Sequence, residues 1–168
     1  MAIELVAGEA LVRQSSGRHR AQGVLGVSVA VPVRSVWGVA IEAVGTYGAE
    51  RSAEIAVDQF LVRPALLATA TFAREPEMVA HVRRRGRFVA VSPYLALDVG
   101  LGPAVSLTWA RWDTPDVGTV TVIEPGARGR VALAFGVGDH LRVRLQGGMA
   151  WRLSGVDHDY QLGAAWAF

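Results

Sequence analysis

Asp157-His158-Asp159-Tyr160-Gln161-Leu162-Gly163-Ala164-Ala165-Trp166-Ala167-Phe168 closes the chain, and its period decides the fold. Tyr160, Leu162, Ala164, Trp166 and Phe168 fall on one side of an extended strand, with Gln161, Gly163, Ala165 and Ala167 on the other. Side chains alternate with period two in a strand. The stretch therefore has one apolar face bounded by aromatics and one face of small or polar residues. In a water-soluble sheet such an ending would be an aggregation-prone edge. In a transmembrane barrel it is the expected wall: apolar toward lipid, small or polar toward the lumen, aromatics at both interfaces.

The rest of the chain repeats the pattern. Residues 36 to 47 set Trp37, Val39, Ile41, Ala43, Gly45 and Tyr47 against Gly38, Ala40, Glu42 and Thr46. Trp37 and Tyr47 are ten residues apart, about 33 Å along a strand before tilt. That suits two aromatic girdles around an apolar band of about 25 Å. Residues 140 to 153 place Leu141, Val143, Leu145, Met149, Trp151 and Leu153 outward, with Arg142, Arg144, Gln146 and Arg152 inward. Residues 128 to 137 carry Val131, Leu133 and Phe135 out and Arg128 and Arg130 in. Trp109, Trp151 and Tyr160 belong to the loop-side girdle together with Tyr47, Phe72 and Trp112; Trp37, Phe135, Trp166 and Phe168 belong to the turn-side girdle.

Composition agrees. Of 168 residues, 51% are hydrophobic, and the mean hydropathy is +0.29. Yet no run of about 18 apolar residues exists, which excludes a transmembrane helix. The 19 glycines recur inside apparent strands, where a small curved barrel uses them for bends and close approach. All 17 basic residues are arginine, cysteine is absent, and the net charge of +2, with no basic patch interleaved with aromatics, argues against nucleic acid. Met1-Ala2-Ile3-Glu4 runs straight into a strand; a secreted barrel needs a leader, so Met1 reads as a start residue ahead of a mature chain.

The closing strand resembles that of bacterial outer-membrane β-barrel proteins, small OmpA- or OmpX-like or ten-stranded ones, which end in an aromatic, most often Phe. The resemblance implies the outer membrane of a Gram-negative-type bacterium and recognition of Phe168 by the barrel-assembly machinery. The expected fold is a single all-β domain over 1–168: a transmembrane antiparallel up-and-down barrel of about ten strands, with eight or twelve as alternatives. Ten follows from taking Pro32 to Ser35, Arg63-Pro64, Gly100 to Pro103 and Gly136 to Asp139 as short turns, and 14–20, 48–52, 75–87, 113–126 and 154–157 as longer loops. An even count puts both termini in the periplasm.

Several constellations could carry function. Glu9, Glu42, Asp58 and Asp98 are expected in the lumen with Arg128, Arg130, Arg142 and Arg144, Glu9 because a carboxylate facing lipid is costly. They form either a salt-bridge network that fills the barrel or a basic constriction that selects anions. Asp157, His158 and Asp159 at the outer rim, with Asp113 and Asp116, resemble the acidic and His pairs of omptin proteases, which activate water. The loops here are shorter than in that family, and its motifs do not recur. Lipid A deacylases use Ser and His near the C-terminus, but Ser154 and His158 lack the surrounding motif. Arg83, Arg84, Arg85 and Arg87, taken near the outer end, could engage lipopolysaccharide phosphates, or simply be solvated.

No metal cluster or cofactor fingerprint is present. The leading expectation is a non-enzymatic barrel, a narrow pore or a structural or adhesive scaffold. A rim hydrolase and a soluble lipocalin-like barrel with the apolar face inside are the competing readings.

Overall fold

In the computed structural model the apolar faces are outside. Along Leu141–Arg152, Leu141, Val143, Leu145, Met149 and Trp151 are exposed while Arg144, Gln146 and Ala150 are buried. Leu145 is 55% exposed and its neighbour Gln146 only 2%. The same inversion holds around the molecule: Leu5, Leu25, Ile41, Leu66, Leu133 and Leu162 face out, while Glu4, Ser28, Glu42, Arg63, Arg128 and Asp159 are buried. A soluble lipocalin-like barrel requires the opposite facing, so that reading is overturned. Water would penalise this exterior heavily; an acyl-chain environment does not.

The structure describes residues 2–13, 19–51, 56–74, 80–84, 87–91, 93–113, 118–137 and 141–167. Eight strands close the barrel: β1 (Ala2–Arg13), β2 (His19–Arg34), β3 (Trp37–Arg51), β4 (Ala56–Arg74), β7 (Pro93–Trp112), β8 (Thr119–Val137), β9 (Leu141–Arg152) and β10 (Gly155–Ala167). Two more, β5 (Ala80–Arg84) and β6 (Arg87–Val91), form a separate two-stranded sheet. Every barrel pairing is antiparallel between neighbours, and β1 meets β10 to seal the wall. Stepping across partners from Ala70 through Val99, Val131, Gly147, Tyr160, Glu9, Gly23 and Tyr47 returns to β4 at Phe60, a stagger of 70 minus 60, or ten residues. Eight strands with that stagger tilt by about 40°, and the interior is just wide enough for side chains to fill.

Eight strands replace the expected ten because two supposed turns are mid-strand. Arg63-Pro64 lies inside β4, and Gly100 to Pro103 lies inside β7. Proline lacks a ladder donor, and the β4–β7 register assigns no partner to Pro64 or to Pro103. The missing bonds are thus gathered in one stretch of one seam instead of breaking two strands. Gly102 belongs to the same stretch: a Cβ there would collide with the Leu66 carbonyl oxygen, so the glycine serves close backbone approach. Continuity through Arg63 also turns Leu61 inward, and it carries Phe72, expected in the loop-side girdle, to the terminal end of the barrel. Likewise Thr119 to Val122, inside the loop expected over 113–126, continues β8 and pairs with β7.

Strand direction places Arg13, Arg51, Trp112 and the Leu153-Ser154 turn at one end, called the loop end. Ala2, Ala167, the turn at Ser35-Val36, Val137 and Leu141 lie at the other, the terminal end. The longest connection, between β4 and β7, also falls at the terminal end and carries β5 and β6. Arg83, Arg84 and Arg87 therefore sit opposite the rim where they were expected; Arg85 lies outside the described residues.

Gly102→Val is expected to reduce the fraction of chain that migrates as a compact, heat-modifiable band after refolding in detergent. Gly147→Val, where an added Cβ meets nothing within 4 Å, should refold like wild type. Equal yields for the two variants would refute the close-approach role of Gly102.

Candidate functional site

Alternation sends one side chain in two into a lumen too narrow to leave it solvated, so the charges there pair. They do so in three tiers that climb from the terminal end to the loop end. In the lowest, Arg144 Nη1 from β9 lies 3.0 Å from Glu4 Oε2 on β1 and 3.2 Å from Asp98 Oδ2 on β7. Among the described residues, Arg144 Nε and Nη2, Glu4 Oε1 and Asp98 Oδ1 have no hydrogen-bond partner. A cavity of about 370 Å³ opens beside this tier, lined by Glu4, Asp98, Arg142, Arg144, Thr69 and Trp37 among others.

The middle tier is more completely satisfied than the lowest, with Arg130 Nε the atom there that lacks a partner among the described residues. Arg128 on β8 donates its Nε to Glu42 on β3 and places Nη1 and Nη2 at 2.7 and 3.1 Å from the two Asp159 carboxylate oxygens on β10. This is a two-toothed guanidinium–carboxylate fork, the strongest common geometry for such a pair. Arg130 Nη1 reaches Glu42 Oε2 at 2.5 Å and Ser28 Oγ at 3.3 Å, and Gln161 Nε2 donates to Asp159 Oδ1 at 2.6 Å. Arg128 has 0% exposure.

In the upper tier Arg63 donates to Asp157 and, through Nε, to Ser106 Oγ at 3.0 Å. Arg152 grips both Asp157 oxygens at 2.9 and 3.0 Å and reaches Glu124 Oε2 at 2.8 Å. Glu124 also accepts from the backbone N–H and hydroxyl of Ser154, which fastens the β9–β10 turn to β8. Beside the charged tiers, Ala10, Val12, Val24, Val44 and Leu61 pack as one apolar cluster, and Ala40, Ala65, Leu67 and Ala104 as another. Leu61 and Leu67 are both 0% exposed. Thr46 donates to Gln22, and Gln22 to Gln59, at the loop-side end of this apolar half.

Glu42, Asp98, Arg128, Arg130, Arg142 and Arg144 are thus inward, whereas Glu9 and Asp58 are not. Glu9 is exposed on β1, opposite Tyr160, because the inward carboxylate of that strand is Glu4, for which Arg144 supplies a counter-charge. Asp58 lies on the outward side of β4, with the Tyr47 hydroxyl 3.4 Å away. Arg63, Glu4 and Glu124 escaped the sequence reading. Arg63 was hidden by the adjacent Pro64, Glu4 by the assumption about Glu9, and Glu124 by a loop assignment; the signal that would have found them is unbroken period-two alternation through each segment.

The rim hydrolase is not assembled. Asp157 and Asp159 point into the lumen and are bound to arginines, while His158, between them on β10, faces the other side and is half-buried. Alternation sends the His to the opposite face of the strand from both carboxylates. Ser154 bonds Glu124; Asp113 is exposed, and Asp116 lies outside the described residues. Among the described residues no cluster of His and carboxylates could hold a metal ion. Of the expected interface aromatics, Trp37, Tyr47, Trp151, Tyr160 and Trp166 are exposed on the outer wall. Trp109 stacks on Phe60 there, with ring centroids 5.8 Å apart at 27°. Phe168 lies outside the described residues.

No protein-family model matches the chain, and no curated protein matches it in sequence. Solved structures do match. The Ail attachment invasion locus protein of Yersinia pestis superposes with a TM-score of 0.67 at 12% identity, covering 99% of this chain and 97% of that one. The fold is that of small bacterial outer-membrane β-barrels. Neisserial surface protein A gives a TM-score of 0.70 at 11% identity, over 99% and 96% of the two chains. The N-terminal barrel of Pseudomonas aeruginosa OprF gives 0.59 at 12%, over 99% and 97%. Ail is also known in complex with sucrose octasulfate, a heparin analogue. At such identities the likeness establishes architecture and nothing about ligands.

Arg128→Ala would leave Glu42 and Asp159 buried without their shared cation, a change that typically costs about 3–5 kcal/mol. The expected outcome in urea titrations of the refolded barrel is a loss of that size. Arg111→Ala, at an exposed site on β7, should cost under about 0.5 kcal/mol. Similar midpoints for the two variants would contradict the central role of the middle tier.

Proposed function

We propose that this protein is a closed structural barrel of the bacterial outer membrane, whose exposed loop-side rim, not its lumen, meets the surroundings. One observation carries the reading: the middle of the lumen is filled. Arg128, Leu61 and Leu67 have no exposure, and the carboxylates of Glu42 and Asp159 neutralise the arginines there. An anion-selective constriction needs cationic groups with free donors facing a water path. Here the Arg128 donors are spent on carboxylates.

Orientation is taken from the even strand number, which sets Ala2 and Ala167 at one end, read as the periplasmic one; the β4–β7 connection leaves the barrel at that end, and the opposite rim faces outward. The rim is uneven. β8 runs seven residues, Thr119 to Pro125, past the last β9 partner, Arg152 paired with Gly126, so β7 and β8 stand above the β9–β10 turn. Val120, Val122 and Ile123 are exposed on this raised part, which gives the rim a distinct apolar surface suited to a structural or adhesive role.

The test is electrical. Purified barrel that shows the heat-modifiable gel shift is expected to leave planar-bilayer conductance at the lipid blank. Reproducible single-channel steps from the same preparation would overturn the closed-barrel reading.

A further inference from the structure

We infer that the cavity at the terminal end of the lumen is a binding site for a small zwitterion of the α-amino-acid type. The lowest tier of charges forms part of its wall: Glu4, Asp98 and Arg144 all line it. Both contacts that hold this tier together converge on a single atom, Arg144 Nη1, at 3.0 Å from Glu4 Oε2 and 3.2 Å from Asp98 Oδ2. Among the described residues, seven buried side-chain atoms lack a hydrogen-bond partner, and four of them belong to these three side chains: Arg144 Nε and Nη2, Glu4 Oε1 and Asp98 Oδ1. Arg144 is 6% exposed and Glu4 3%. A buried polar atom left without a partner is costly, and here the shortfall is gathered at the wall of a cavity with room for one.

The cavity measures about 370 Å³. That is room for about a dozen waters at about 30 Å³ each, and it falls within the usual size of small-molecule sites, about 300–1,000 Å³. Its charges balance, Arg142 and Arg144 against Glu4 and Asp98, and Ser35 and Thr69 add neutral hydroxyls. A lone anion would be drawn to the arginines and repelled by the carboxylates; a lone cation would meet the reverse. A guest that carries both signs meets neither penalty. Arg144 Nε and Nη2 share one edge of the guanidinium plane, the edge that takes a carboxylate through two parallel bonds. The unpartnered carboxylate oxygens belong to groups that touch the same guanidinium, so the position for an ammonium lies next to that for a carboxylate. In an α-amino acid those two groups are bonded to one carbon. At the ends of a peptide they are at least one residue farther apart.

The test titrates alanine into the refolded full-length barrel in detergent and reads binding by saturation-transfer NMR on the alanine methyl group and by calorimetry. Saturable binding is expected. N-acetylalanine keeps only the negative charge and alanine amide only the positive one; each should bind at least about tenfold more weakly, the loss of one charged hydrogen-bonding group. Dialanine, with its charges a residue apart, should do no better than these. Ala73→Phe adds bulk at an exposed position of the cavity wall and should abolish the signal with the heat-modifiable band intact. Asp98→Asn, which keeps the side chain's shape, should weaken alanine about tenfold and leave N-acetylalanine no weaker. Should Ala73→Phe fail to fold, Asp98→Asn and the analogue series decide. No saturable binding, equal affinity for alanine and for a neutral polyol such as glycerol, or a signal that survives Ala73→Phe would overturn the site. Equal binding of dialanine would overturn the α-amino-acid class.

That the guest enters from the periplasm rests on the orientation proposed above; its binding to the solubilised barrel does not. The two readings also fail separately. Single-channel steps from a barrel that binds alanine would overturn the closed barrel and leave the site, whereas blank conductance without alanine binding would overturn the site alone.

Discussion

Closing eight strands with a stagger of ten residues leaves an interior about as wide as two opposed side chains, and the other features of this barrel follow from that limit. Every inward residue must meet another inward residue. Large charged groups can be accommodated only where glycine, alanine or serine stands opposite or beside them. Gly148, for instance, lies against Asp159 and Arg128, where an added Cβ would come within 2.6 Å of the carboxylate. The five guanidinium groups of Arg63, Arg128, Arg130, Arg144 and Arg152 face the six carboxylates of Glu4, Glu42, Asp98, Glu124, Asp157 and Asp159. Arg142 lines the terminal mouth beside the lowest tier.

Such a network is not an efficient source of stability. Burying an ion pair roughly breaks even against well-packed apolar groups. Its value lies in alternation. If the inward positions were leucine, each strand would become a continuous apolar run, with neither face distinguished from the other. A charged lumen keeps the period-two contrast that fixes which side meets lipid, since a register slip of one residue would turn every arginine toward the acyl chains. Because the tiers link strands remote in the chain, such as Arg144 with Glu4, they also tie the closing strands to the first.

The two ends of the barrel have separate designs. At the loop end the wall is raised on β7 and β8 and low at the β9–β10 turn, where Glu124, Arg152 and Ser154 lock the corner. At the terminal end the lowest tier is incompletely satisfied and opens into a cavity, while the β4–β7 connection adds a basic sheet of its own. The packed middle tier, where Arg128 has 0% exposure, lies between these two ends.

Much of this was legible in the residues. Alternation in 140–153 and in the closing strand determined the inside-out facing, and it put Arg128, Arg130 and Arg144 together with Glu42 and Asp98 in one lumen, because a strand offers each residue only two directions. Composition determined that no helix spans the membrane. What the sequence could not determine was where alternation continues through residues that usually end a strand. Pro64, Gly102 and Pro103 are local turn signals, and only pairing across the β4–β7 seam shows that the missing donors are tolerated there. Strand number, the end at which the arginine-rich hairpin lies, and the choice of Glu4 over Glu9 as the buried acid all depend on that pairing. They are properties of closure, a contact between residues far apart in the chain, and no local pattern encodes them.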